Sequence, residues 1–140
     1  MSENPSLQEF ASFLSSWKES GQEMATVYEA LYEAAAALPS VSFTFMARPG
    51  LTYSLRPVHE QQTERAFFAI MDVIDDEPEE RWLSICFYGD MVTDPEQRGD
   101  LVPNGLGNAD GYCFDMYAPD AELAAYLVAR IQEAHASVLS

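Results

Sequence analysis

The stretch 66–88, AFFAIMDVIDDEPEERWLSICFY, decides the fold of this chain. It holds two apolar runs, residues 66–74 and residues 81–88, separated by a turn of acidic residues. Runs that are apolar on both faces are typical of central strands covered on each side. Antiparallel strands can be joined by a short turn, whereas parallel strands need a long crossover, so we predict that these two strands pair antiparallel.

Two further strands precede this stretch, and one follows it. Apolar residues alternate with Ser and Thr over residues 41–45, and the alternation resumes over residues 51–55 after a turn at residues 48–50. That period of two indicates a β-hairpin. Residues 112–117 have the pattern of a final short strand, whereas residues 89–111 show no regular period and are predicted to form a long structured loop.

Helical periodicity marks both ends of the chain. Apolar residues recur at steps of three and four over residues 7–38, with Gly21 in the middle. Because glycine destabilises a helix interior, we favour two helices hinged at Gly21 over one long helix. Pro39 ends this region, and Pro119 opens a closing helix with the same periodicity.

Together these patterns predict one α+β domain over residues 1–140, with residues 1–5 as a flexible tail. Its core is an antiparallel β-meander of about five strands, flanked by the N-terminal helix or hinged helix pair and by the C-terminal helix. The helices are expected to cover one face of the sheet. Since the central strands are apolar on both sides, we expect the other face to be partly covered by the first helix or by a second copy of the chain.

The charge of the chain limits its partners. Against 23 acidic residues stand only 7 basic ones, which gives a net charge of −16. Such a charge opposes binding to nucleic acid and to anionic membranes, so we expect neither as a partner. No apolar run approaches the roughly 20 residues that span a bilayer. The first residues lack a signal-peptide pattern and the two cysteines form no CxxC pair, which favours a cytoplasmic location and gives no sign of a cofactor.

One segment is locally positive. Residues 34–59 contain no acidic residue but carry Arg48, Arg56 and His59. The hairpin is therefore a positive island on a negative protein, suited to a small anionic ligand or to an acidic protein surface, with nearby aromatic residues as a stacking wall. The predicted contact residues are Arg48, Tyr53, Arg56, His59, Trp82 and Tyr88. We expect a non-enzymatic soluble binding or interaction domain, as a homodimer, with this hairpin and the loop 89–111 as its contact surfaces.

Two alternative functions remain open. The acidic turn offers Asp75, Asp76, Glu77 and Glu79 as ligands for a divalent cation, although a solvated charge run is the ordinary role of such a turn. A small enzyme is the other alternative, with buried acids or Cys86 carrying the chemistry. Cys86 would then need a base such as His59 within reach, whereas the ordinary role of both Cys86 and Cys113 is packing in the core.

Two resemblances accompany these patterns. The run WLSICFYGDMVTDPEQRGDLVPNGLGNADGYCFDMY, residues 82–117, with its closing helix, resembles small uncharacterised bacterial α+β domains of unknown function, which implies no activity. In layout and acidity the chain is also similar to frataxin-like proteins, which implies iron binding by surface carboxylates. The acidic ridge of that family lies on the first helix and first strand, and here residues 41–47 carry no acidic residue.

Overall fold

A computed structural model describes residues 5–139 of the chain. Of the tail predicted for residues 1–5, residues 1–4 lie outside the described part, and Pro5 begins the first helix. The elements in chain order are α1 (Pro5–Glu19), α2 (Met24–Ala36), β1 (Val41–Arg48), β2 (Thr52–His59), β3 (Ile70–Ile74), β4 (Trp82–Tyr88), β5 (Asp100–Leu106), β6 (Ala109–Met116) and α3 (Ala121–Ser137). The predicted α+β class is confirmed.

The break in the N-terminal helical region lies where the sequence predicts it. Gly21 adopts a φ of 82°, in the left-handed region that glycine enters without steric cost. The Trp17 indole Nε1 donates a hydrogen bond of 3.1 Å to Oε1 of Gln22 across this break. Residues 5–36 therefore form two helices, as predicted.

The sheet contains six antiparallel strands in the order β1-β2-β3-β4-β6-β5. The prediction of about five strands missed β5, which lies in the segment predicted as a loop. Six of the seven residues of this edge strand are exposed, so no burial period marks it in the sequence. Because β5 pairs with β6 at the outer edge, and β6 lies beside β4, the strand order also departs from a simple meander.

Side chains alternate between the two faces of the sheet, and the helices pack on one of them. One row of paired residues on this covered face consists of Phe45, Leu55, Met71, Ile85 and Phe114, all of them buried. Rings from all three helices contact covered-face side chains: Phe10 of α1 lies against Phe45, Tyr32 of α2 against Phe43, and Tyr126 of α3 against Phe114. The hydrophobic core lies between this face and the helices.

The opposite face, called the open face below, is the one that the helices leave uncovered. Its central row consists of the paired residues Met46, Ser54, Asp72, Ser84 and Asp115. The connection between β2 and β3 packs over one corner, where the Phe67 ring stacks on the Tyr88 ring at a centroid distance of 5.4 Å. The sequence predicts a second face that is partly covered. Among residues 5–139 this loop covers one corner of the open face, whereas α1 packs on the other face.

Candidate functional site on the open face

The structure brings four of the six predicted contact residues to the open face. They are Arg48, Arg56, Trp82 and Tyr88, which share the face of Ser54 and Ser84 by strand register. Tyr53 and His59 lie on the covered face, because residues an odd number of positions from Arg56 on the same strand point the other way. Alternation along β2 already carried this information in the sequence.

Tyr53 and His59 have structural partners on the covered side. The Tyr53 ring stacks on the Phe13 ring of α1 at 3.9 Å between centroids. His59 is 2% exposed, and its ring lies 4.8 Å from the ring of His135 on α3. Both residues fix the helices to the hairpin and are unavailable to a ligand on the open face.

Arg48 and Arg56 differ from the other cations of the chain in having no carboxylate partner among residues 5–139. The five remaining basic residues are all ion-paired: Lys18 with Glu29, Arg65 with Asp90, Arg81 with Asp75, Arg98 with Asp120 and Arg130 with Glu133. In a chain of net charge −16, two unpaired guanidinium groups on one face are an unusual feature. Because a guanidinium group can pair with a carboxylate, sulfonate or phosphate, these two side chains are the candidates for anion recognition on this face.

The surroundings of Arg56 hold its side chain in place. Its Nε donates a hydrogen bond of 3.1 Å to the Ser54 hydroxyl, and its guanidinium lies 5.4 Å from the centre of the Phe67 ring. Phe67 and Tyr88 form a stacked pair, and the guanidinium of Arg65 covers Tyr88 at 4.0 Å. Sequence reasoning missed Phe67, because only the folded loop brings it beside the sheet.

Asp72 lies at the centre of the open face, beside these arginines. One carboxylate oxygen, Oδ1, is buried and has no hydrogen-bond partner among the described residues. Burial raises the pKa of the Asp72 carboxyl, while a hydrogen bond from Ser54 and the charges of Arg56 and Arg48 act in the opposite direction. A buried carboxylate oxygen without a donor lowers the stability of the folded chain.

A disulfide also lies on the open face. Cys86 of β4 and Cys113 of β6 are directly paired across the strands, with their Cα atoms 4.2 Å apart, and their sulfurs are bonded. Both residues are half-buried, so the prediction that they are core residues was wrong. Their register could not be read from the sequence, because it depends on β6 rather than β5 lying beside β4.

The same disulfide counts against the alternative in which Cys86 is a catalytic nucleophile. Cys86 is bonded to Cys113 and lies on the open face, whereas His59 lies on the covered face. The sheet itself therefore separates the thiol from the base that it would need. The structure does not bring the predicted nucleophile and base together.

The far end of the open face, on β6 and β5, is acidic and apolar. Asp115 is exposed, and Asp100 is exposed and paired with Cys113. The Tyr117 ring lies 4.7 Å from the Trp82 ring and is 69% exposed. The open face thus carries its cations at the β1–β2 end and its exposed carboxylates at the β6–β5 end.

The four predicted metal ligands of the acidic turn do not converge. Asp75 is 2% exposed, and its carboxylate accepts hydrogen bonds from Arg81 Nε at 2.6 Å and from the Gly50 backbone N–H at 2.8 Å. Asp76, Glu77 and Glu79 are exposed. In the described part of the chain, no group of three or more His, Cys, Asp or Glu side chains is arranged to hold a metal ion.

The first part of the predicted contact loop is tied to α3. Both carboxylate oxygens of Asp94 accept backbone hydrogen bonds within the loop, from Arg98 and Gly99 at 2.9 Å each. The Tyr126 hydroxyl of α3 also donates to Asp94, and the Thr93 hydroxyl donates to Glu133 at 2.8 Å. These bonds fix residues 93–99 against the helix layer, on the side away from the open face.

Comparison of the chain with protein-family models, with curated proteins and with solved structures finds no match in any of the three. Across residues 5–139, no helix combines the length and the apolar character needed to cross a membrane. We therefore base the proposed function on the geometry of the open face.

Proposed function

We propose that the chain is a non-enzymatic binding domain that receives an anionic, partly apolar partner surface on its open face. The proposal rests on Arg48 and Arg56, the two cations without a carboxylate partner among the described residues, which both lie on this face. Arginine and tryptophan are among the residues enriched at binding hot spots, and Arg56 and Trp82 occupy the same face, whereas Tyr88 is only 8% exposed beside Phe67 and Arg65.

The physical basis of the proposal is the free energy that the arginine side chains would gain from an anionic partner. A guanidinium held beside an aromatic pair gains more from a carboxylate or sulfonate in a partly dry contact than it does in bulk water. The half-buried strands β3 and β4 supply apolar area next to it. A partner with an anionic group beside an apolar surface fits both features.

A dye of that chemistry tests the proposal. Anilinonaphthalene sulfonate, which joins aromatic rings to a sulfonate, should bind the native protein saturably and shift the NMR signals of Arg56, Trp82 and Tyr88. The double variant Arg48→Glu and Arg56→Glu should weaken this binding at least about tenfold, because attraction becomes repulsion. Weak, non-saturating binding, or signal shifts confined to the helices, would contradict the proposal.

A matched control separates the site from the net charge. The double variant Lys18→Glu and Arg98→Glu makes the same change in net charge on other surfaces, where both residues belong to solvent-exposed ion pairs. Dye binding should stay close to that of the wild type. If the control loses as much affinity as the open-face variant, the effect comes from overall charge, and the open face is not the site.

A cytoplasmic location is also proposed, on the sequence features alone. The bond between Cys86 and Cys113 argues against this location, since disulfides persist mainly in oxidising compartments. Alkylation of thiols in intact cells, followed by mass spectrometry of the purified chain, tests the location. Two alkylated cysteines would support the cytoplasm, and a protected, bonded pair would contradict it.

A further inference from the structure

The open face carries apolar side chains on its central strands, on either side of Asp72 and Ser84, and charges of opposite sign at its two ends. On β3 and β4 it presents Ile70, Ile74 and Trp82, which are half-buried, while Met46 and Tyr117 at its margins are 37% and 69% exposed. Apolar side chains that no helix covers make this face a candidate contact site. The charges at the ends restrict which partner fits.

We propose that the occupant of the open face is a second copy of the chain, stacked face to face about a two-fold axis that runs along the strands. This inference rests on the proposed function, since it names the partner of the same surface. In this arrangement the β1–β2 end of each copy lies over the β6–β5 end of the other. The two sheets then form an aligned sandwich with one shared apolar layer.

Symmetry and charge select this axis. Two aligned sheets that stack on the same face are related by a two-fold axis in the plane between them, either along the strands or across them. An axis across the strands would place the strands of Arg48 and Arg56 over the same two strands of the other copy, so that the cations of both copies gather together, and like charges in contact cost several kcal/mol. An axis along the strands instead places them over the end that carries Asp100 and Asp115.

The strand order determines which strands of the two copies lie over each other. In the order β1-β2-β3-β4-β6-β5, an axis between β3 and β4 exchanges β3 with β4, β2 with β6 and β1 with β5. Arg56 on β2 then lies over β6 of the partner. Since Asp115 is on β6 and Asp100 is paired with Cys113 of that strand, Arg56 has a carboxylate of the partner on either side. Stacked sheets lie about 10 Å apart, a gap that an arginine side chain can bridge.

A charge-swap mixing experiment tests the arrangement. One chain carries Arg48→Glu and Arg56→Glu, and the other carries Asp100→Arg and Asp115→Arg, with circular dichroism to establish that each is folded. In sedimentation equilibrium the wild type should be a dimer, and each variant alone should dissociate at least about tenfold more readily. An equimolar mixture should regain the dimer, because the attraction between position 56 of one chain and positions 100 and 115 of the other is then restored.

The outcomes separate this inference from the proposed function. A mixture that stays monomeric, or variants that dimerise as tightly as the wild type, would overturn the stacked arrangement. If the wild type is monomeric but binds the dye through Arg48 and Arg56, the partner is an external anionic surface, and only the self-association fails. If dye binding is also independent of these arginines, both proposals fail.

Discussion

The two faces of the sheet are built from the same strands but hold different chemistry. On the covered face Leu55, Met71 and Phe114 are fully buried against the helices, and the residues there are almost entirely apolar. On the open face apolar residues alternate with Arg56, Asp72 and Asp115, most of them half-buried. The comparison teaches that the covered face sets the stability of the monomer, while the open face carries the charged groups on which the proposed binding rests.

The two tryptophans give the largest expected difference in stability between the faces, since one lies on each side of the sheet. Trp17 of α1 is 1% exposed in the helix layer, and Trp82 is half-buried on the open face. Trp17→Ala should lower the free energy of unfolding by about 3–5 kcal/mol through lost packing and an unfilled cavity. Trp82→Ala should cost about 1 kcal/mol or less in the monomer. Urea unfolding at low protein concentration measures both, and equal losses would contradict the division of roles.

Two arginines provide the next test. Arg81 is ion-paired with the buried Asp75 and lies 5.2 Å from the Phe13 ring on the covered side. Arg81→Met should destabilise the protein by roughly 3–5 kcal/mol, because it leaves a buried carboxylate without its cation. Arg65→Met, at the rim of the open face, breaks a more exposed pair with Asp90 and should cost only ~0–1 kcal/mol. Thermal unfolding of the two variants side by side would expose any reversal of this order.

The disulfide is a contribution of the open face to stability that the covered face does not share. Cys86 and Cys113 are separated by 27 positions, and closing a loop of that size stabilises the fold by on the order of 3 kcal/mol. Adding a reductant should therefore lower the urea midpoint of the wild type. A Cys86→Ala and Cys113→Ala variant is the control, because its midpoint should be low and insensitive to reductant. An unchanged wild-type midpoint would remove this contribution.

The smallest expected effect is the pH dependence due to Asp72. Burial raises the pKa of this carboxyl in the folded monomer, so the folded state holds the proton more tightly than the unfolded state does. The resulting stabilisation is present below the unfolded pKa and is lost as the pH rises through the folded pKa. Asp72→Asn should therefore gain stability relative to the wild type as the pH rises across that range. A difference between the two that stays constant with pH would contradict this.

Much of the fold was predictable because buried positions recur at regular intervals along strands and helices, and these positions are occupied by apolar residues. The central strands β3 and β4 and the helix break at Gly21 follow from apolar runs and from one glycine. Strand β5 was not predictable in this way, because an exposed edge strand has no buried side to mark. The ion pair between Asp75 and Arg81 could not be predicted from the sequence either, because it depends on how the turn between β3 and β4 folds.

The candidate site was predictable only in part. The absence of acidic residues over positions 34–59 drew attention to Arg48 and Arg56, which share one face, and alternation would have excluded Tyr53 and His59 from that face. Phe67 and Cys113 join the site through a loop and through strand order, neither of which a single sequence specifies. Contacts that depend on topology are thus the part that sequence alone does not provide.

Collisional quenching of Trp82 tests most directly whether the open face is where the chain associates. In a Trp17→Phe variant Trp82 is the sole tryptophan, so acrylamide quenching reports the exposure of the open face alone. The quenching constant should fall as the protein concentration rises, and it should stay high at every concentration when Arg48→Glu and Arg56→Glu are added. A constant that never changes with concentration, or that changes equally in the charge-reversed chain, would contradict association through this face.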